Sequence, residues 1–104
     1  VAPEQYEEKQ MKKYWKGENP AHLAELREVL ATIDDFSLEN TEAVVGAWIQ
    51  EKGYGMGQIM NTLRLALVGA GKGPGMYDVT AFLGKEECLK RIDALIANVR
   101  PIDA

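Results

Sequence analysis

Apolar residues recur along this chain at intervals of three and four, and no stretch alternates strictly, so the pattern predicts helices and no sheet. The clearest run is Leu23, Leu26, Leu30 and Ile33. It follows Asn19-Pro20, which reads as an N-cap and a first helical residue whose missing N–H costs nothing there. Asp34-Asp35 closes that helix and Phe36 anchors the crossing. Upstream, Pro3 to Trp15 predicts a polar helix with Pro3 at its first position and a narrow apolar edge of Met11, Tyr14 and Trp15. Its acids come early and its lysines late, as the helix dipole favours, and Glu8 and Lys12 sit one turn apart for a weak pair. Gly17 stops it. A third helix, capped by Asn40 or Thr41, turns Val44, Val45, Trp48 and Ile49 inward. Gly46 there offers room for close approach of another helix, and Gly53 and Gly55 end it. A fourth helix, Met56 to Val68, has one apolar face of Ile59, Met60, Leu63 and Leu67.

Gly69, Gly71, Gly73 and Gly75 then make a continued helix costly, and Pro74 has no N–H to donate. The chain restarts at Met76 with a short apolar stripe of Val79, Phe82 and Leu83. Gly84 ends that turn and caps a last helix, Lys85 to Val99, with Leu89, Ile92, Ile96 and Val99 inward and Glu86 and Glu87 in the first turn. The expected fold is all-α, a compact bundle of five to six helices in a single domain spanning residues 1–104.

A length of 104 residues suits one domain that buries about two thirds of the surface its unfolded chain exposes. No apolar run is long enough to span a bilayer, and no signal-peptide pattern opens the chain. The start at Val1 suggests a fragment or a processed product, although a cloning boundary would look the same. The single cysteine, Cys88, excludes an internal disulfide and a cysteine metal cluster, and it fits a reducing cytoplasm. Beside Leu89 on the apolar side of its helix, it reads as a buried, inert thiol. The net charge of −4 argues mildly against nucleic acid but leaves room for a small basic patch. Lys9, Lys12, Lys13 and Lys16 read as a solvated face rather than phosphate contacts. His22, the one histidine, reads as a surface residue, and Trp48 as core rather than a base-stacking group.

No constellation for catalysis stands out, and no catalytic residue or metal site is expected. The tempting AGKGPG stretch fails as a phosphate loop: Ala66 stands where the first glycine must be, Gly73 replaces the Ser or Thr, and no strand precedes it. The acidic pair Glu86-Glu87 is explained by helix-start charge. Arg64 and the Gly73–Met76 turn admit two readings, contacts to an unpaired base and bland structural roles. Unpaired bases are read by stacking and by hydrogen bonds to exposed edges. Arg64 offers a rigid fork of donors. Gly73-Pro74-Gly75 offers bare backbone and a flat apolar ring, Met76 a polarizable contact, and Lys72 an exposed charge for phosphate. The bland alternatives are that Arg64 runs past the core to pair with Asp78 or Glu87, and that the turn is only a tight connector. Arg91 reads as structural, paired with Glu87 one turn earlier.

Three blocks, LRLALVG (Leu63–Gly69), GPGM (Gly73–Met76) and LGKEECLKRI (Leu83–Ile92), with the spacing between them, resemble the carboxy-terminal anticodon-binding domain of bacterial glutamyl-tRNA synthetases. KKYWKGENPAHL and FSLENTEAVVGAWIQEKG are similar more weakly. The resemblance implies a part of a class I aminoacyl-tRNA synthetase that attaches glutamate to tRNA(Glu) using ATP. Its HIGH-like and KMSKS-like motifs do not occur in these residues. The implied fragment is therefore non-catalytic and without a cofactor of its own, ATP and Mg belonging to the absent catalytic domain. The implied partners are the anticodon loop of tRNA(Glu) and the remainder of the synthetase, in a cytoplasmic monomer with no membrane role. The family's anticodon contacts, carried over by position, are Arg64, Gly73, Pro74 and Met76; Lys72 is a phosphate candidate by its place at the loop tip, not by the resemblance. Gly73 departs from the Thr or Ser usual in the family, which puts a side-chain contact there in doubt. Arg64 should reach the mouth of the loop beside Pro74, leaving room for one unstacked base. The other reading is a helical protein–protein interaction module with no RNA role, favoured by an exposed apolar groove with no electropositive patch near Arg64.

Overall fold

The computed structural model describes residues 6–102. Its elements are α1 (Glu8–Tyr14), α2 (Asn19–Ala31), α3 (Leu38–Lys52), α4 (Met56–Leu67), α5 (Met76–Leu83) and α6 (Lys85–Asn98). Among the described residues the only strand-like feature is an isolated bridge between Lys16 and Ile102. The all-α expectation therefore holds. Pro3 lies outside the described residues.

Helix α4 is the centre of the domain and contacts α1, α2, α5 and α6. It buries Ile59, Thr62, Leu63, Leu65, Ala66 and Leu67, more than the single face expected, because neighbours cover it on several sides. Leu23, Leu26 and Leu30 of α2 and Cys88, Ile92 and Leu95 of α6 close the core around it. Helix α3 packs on α2 and α5.

Helix α1 runs antiparallel to α4. At one end the Glu7 N–H donates to the Gly69 carbonyl at 2.7 Å, and the Gly71 N–H donates to Glu7 Oε1 at 2.9 Å. At the other end the Asn19 side-chain amide donates to the Tyr14 carbonyl at 2.8 Å and to Gln58 Oε1 at 3.0 Å. Trp15, fully buried, donates from Nε1 to the Val99 carbonyl at 2.9 Å, so the C-terminal ends of α1 and α6 meet.

Several local expectations are corrected. Ser37, not Asn40 or Thr41, caps α3. Its backbone is extended, as a cap requires, and its side chain accepts from the Asn40 N–H. Asn19 is already helical, and its side chain serves the α1–α4 junction instead of capping. Helix α2 ends at Ala31, before Asp34-Asp35. A Cβ at Gly46 would meet nothing within 4 Å, so no helix approaches closely there. Ile96 is exposed, because the buried face of α6 is Cys88, Arg91, Ile92 and Leu95. Phe82 is 89% exposed: Met76 and Thr80 fix the inward face of α5, and Phe82 lies two residues, about 200°, beyond Thr80.

Arg91 is structural, as expected. It is buried; its Nε donates to Glu87 at 2.7 Å and its Nη1 donates to the Leu67 carbonyl at 2.8 Å. The second bond satisfies a carbonyl in the last turn of α4, which has no partner within the helix. The hydrogen bond from Arg91 holds the Glu87 carboxyl below its ordinary value of 4.5. A carboxyl depressed on folding contributes stability that is present above its unfolded value and lost as pH falls through the folded one. Acid melts of the Glu87→Gln variant should therefore fall less steeply below about pH 4.5 than those of the parent. Parallel curves would remove this role. Cys88 is fully buried, and burial pushes its thiol up to about 12, which leaves it inert at neutral pH.

Candidate functional site

Helix α4 leaves through Gly69, whose left-handed φ of 83° lets its N–H bond back to the Leu65 carbonyl at 3.0 Å. The chain then crosses an irregular turn before α5 begins at Met76. Within that turn Lys72, Gly73, Pro74 and Gly75 are all exposed. Gly73 has φ 151°, where side-chain-bearing residues are rare. A Cβ built on it would stand 3.1 Å from Arg64 Nη1. The bare backbone of Gly73 thus lies directly against the guanidinium of Arg64, three residues before the end of α4.

Arg64 is half-buried. Its Nη1 is fully buried and has no hydrogen-bond partner among the described residues. The alternative pairings are not made there: Glu87 bonds Arg91, and no ion pair joins Arg64 to Asp78. A buried donor left unpaired costs about 1–3 kcal/mol. Such a group is accounted for by strain, an ordered water or ion, or a ligand.

The structure separates the other expected contacts. Met76 is buried in the core, so its side chain anchors the start of α5 and offers nothing to the turn's surface. Lys72 is exposed at the turn, as expected. Pro74 lines a cavity of about 300 Å³, but its neighbours there are Asp78, Val79 and Phe82 rather than Arg64. Arg64 meets the turn at Gly73 instead. Phe82 was hidden in the sequence by its spacing from Val79. Counting from Met76 and Thr80 would have turned it outward.

A larger cavity, about 460 Å³, lies at the start of α4, lined among others by Lys13, Lys16, His22, Tyr54 and Gln58. It is about 18 Å, the length of α4, from the glycine turn. His22 is not a plain surface residue: its ring stacks on Tyr54 at 3.8 Å, and the Tyr54 hydroxyl donates to the Glu25 carboxylate at 3.0 Å. Trp48 meets Tyr54 edge-on at 5.5 Å and is half-buried against the core. Among the described residues no three His, Cys, Asp or Glu side chains are grouped to hold a metal. No helix there is long and apolar enough to cross a membrane.

Six helices that bury their apolar faces on one another make the described residues a small all-α domain. The family model described as the anticodon binding domain matches residues 1–96, and the chain belongs to that family. It is 60% identical over 92 residues to the glutamate–tRNA ligase of Phocaeicola vulgatus, a match covering 88% of this chain and 18% of that protein. It is 55% identical over 92 residues to the glutamate–tRNA ligase of Bacteroides fragilis, with the same coverage. The crystal structure of a glutamate tRNA ligase from Elizabethkingia meningosepticum, in complex with its amino acid, aligns with a TM-score of 0.89 at 38% identity. That alignment covers 96% of this chain and 20% of that one. The chain thus spans about a fifth of the length of the relatives it matches. The cavity beside Pro74 is the kind of apolar groove an interaction module would show. Arg64 and Lys72 flank the same turn, however, and the family match decides for the anticodon-binding domain.

Proposed function

We propose that this domain reads the anticodon loop of tRNA(Glu) as part of a cytoplasmic glutamate–tRNA ligase. The ligase attaches glutamate to that tRNA with ATP and magnesium held outside this domain. The observation that carries the reading is the half-buried guanidinium of Arg64 lying against the bare backbone of Gly73 at an exposed turn. An acceptor on the edge of an unpaired base can meet the accessible part of that guanidinium, and the absence of a side chain at Gly73 lets the base come close. Pro74 supplies a flat apolar ring beside it, and Lys72 an exposed charge for the phosphate of the same nucleotide. No residue of this chain is assigned a catalytic role.

The test uses a full-length ligase carrying this domain. Substituting the anticodon of tRNA(Glu) should weaken binding, and Lys72→Glu should weaken binding of parent and substituted tRNA alike while lowering the salt dependence by about one counterion. Equal affinity for every anticodon sequence would remove the reading.

A further inference from the structure

The turn between α4 and α5 makes few bonds within itself. From Ala70 to Gly75, among the described residues, one backbone N–H is hydrogen-bonded, that of Gly71. Its acceptor lies outside the turn: Glu7 Oε1, at 2.9 Å, on the residue that precedes α1. The Glu7 N–H donates to the Gly69 carbonyl at 2.7 Å, so a single residue grips the chain on both sides of Ala70. Gln10, on the same face of α1, packs over the same place: a Cβ on Gly71 would stand 2.6 Å from its side-chain amide. Resting on the anticodon-reading function above, we propose that Glu7 is a positioning residue for it. Through the bond to Gly71, Glu7 holds Lys72 and Gly73 where RNA meets them.

A segment with glycines at 69, 71, 73 and 75 loses much backbone freedom when it is ordered. Where that loss is met only on binding, it subtracts from affinity, and a bond made beforehand to a packed element reduces it. Helix α1 is such an element: it packs on α4, and Tyr14 and Trp15 at its end are buried. From Gly71 the chain passes through Lys72 to Gly73, whose Cα lies so close to Arg64 that a Cβ would stand 3.1 Å from Nη1. A shift at Gly71 therefore reaches the Arg64 contact within two residues. The choice of side chain separates two roles. Glu7 is exposed, and its negative charge repels the phosphates of any RNA at the turn. What favours binding is its acceptor oxygen, which a glutamine also supplies without the charge. The bond to Gly71 is exposed, so its loss should leave the fold intact.

The experiment uses a full-length ligase carrying this domain, as the parent and as the Glu7→Ala, Glu7→Gln and Arg64→Ala variants. It measures Kd, the Michaelis constant and kcat with tRNA(Glu). Without RNA it measures amide hydrogen exchange in the peptide containing Gly71, and a thermal melt. Glu7→Ala is expected to raise Kd about three- to tenfold, the loss of one hydrogen bond. The effect should fall on the Michaelis constant for tRNA rather than on kcat, exchange at Gly71 should be faster, and the melt should coincide with the parent's. Glu7→Gln should restore both the affinity and the slow exchange. Parental affinity in Glu7→Ala overturns the inference. Equal weakness of the two Glu7 variants also overturns it, because the charge and not the acceptor is then at work. Tighter binding in both overturns it too, since the carboxylate is then only a repulsive charge. A lowered melting temperature in Glu7→Ala makes the residue a support of the fold and likewise overturns it. If Glu7→Ala is silent while Arg64→Ala weakens binding, only this inference fails. If both are silent, the anticodon reading fails with it.

Discussion

Arg64→Ala in a full-length ligase carrying this domain is expected to raise the Michaelis constant for tRNA roughly ten- to a hundredfold, from the loss of a bidentate contact worth about 1–3 kcal/mol. The preference for the cognate anticodon should shrink with it. A tRNA with a substituted anticodon loses less against the variant than against the parent, because the group that detects the substitution is gone. Stability should move differently. The Nη1 of Arg64 is buried without a partner, so the folded domain carries the desolvation cost of that donor. Replacing it with an apolar chain of similar length removes the cost. Arg64→Met should therefore melt at or above the parent's temperature while losing anticodon preference. Full preference in Arg64→Ala would make the residue structural. A melting temperature that collapses in both variants would show that the arginine holds the core.

Trp15→Ala should be the most destabilising single change in the chain. Trp15 is 1% exposed and joins the end of α1 to the end of α6 through its bond to Val99. Truncating a buried tryptophan costs about 3–5 kcal/mol, against a total of about 5–15 kcal/mol for a domain of this size. Thermal melts followed by circular dichroism should show a drop of at least about 12 °C. Trp15→Phe keeps most of the volume and loses the hydrogen bond, so it should fall between. The effect bears on the glycine turn as well. Helix α1 bonds Gly69 and Gly71 through Glu7, and loosening α1 removes that brace. A loss under 1 kcal/mol in Trp15→Ala would mean that α1 contributes little to the core.

How far the sequence could be read depended on whether a feature was local. Helix periods, glycine breaks and the Glu87–Arg91 pair are set by residues within about one turn of each other. Cys88 and Leu89 placed the inert thiol correctly for the same reason. The region around Ser37 failed because Ser37, Asn40 and Thr41 lie within five residues and can each cap, and only the backbone angle at Ser37 selects one. Phe82 and Ile96 failed because an apolar residue within reach of a stripe can lie on either edge of it, and neighbouring helices decide which edge is covered.

By itself the sequence determined the all-α class, the order of the helices, and the irregular turn between α4 and α5. The irregularity of that turn follows from the backbone limits of its glycines and proline, whereas their reading as a base-contacting site came from the family resemblance. Only the tertiary structure decided which of those residues share a surface. Arg64 lies against Gly73 because α4 ends where the turn folds back over its last residues. Met76 is withdrawn into the core, and Phe82 is left beside Pro74, because α3, α4 and α6 pack on one face of α5 and, among the described residues, Phe82 on the other stays exposed. Which face of α5 is covered depends on packing between helices, which the spacing within α5 alone does not fix.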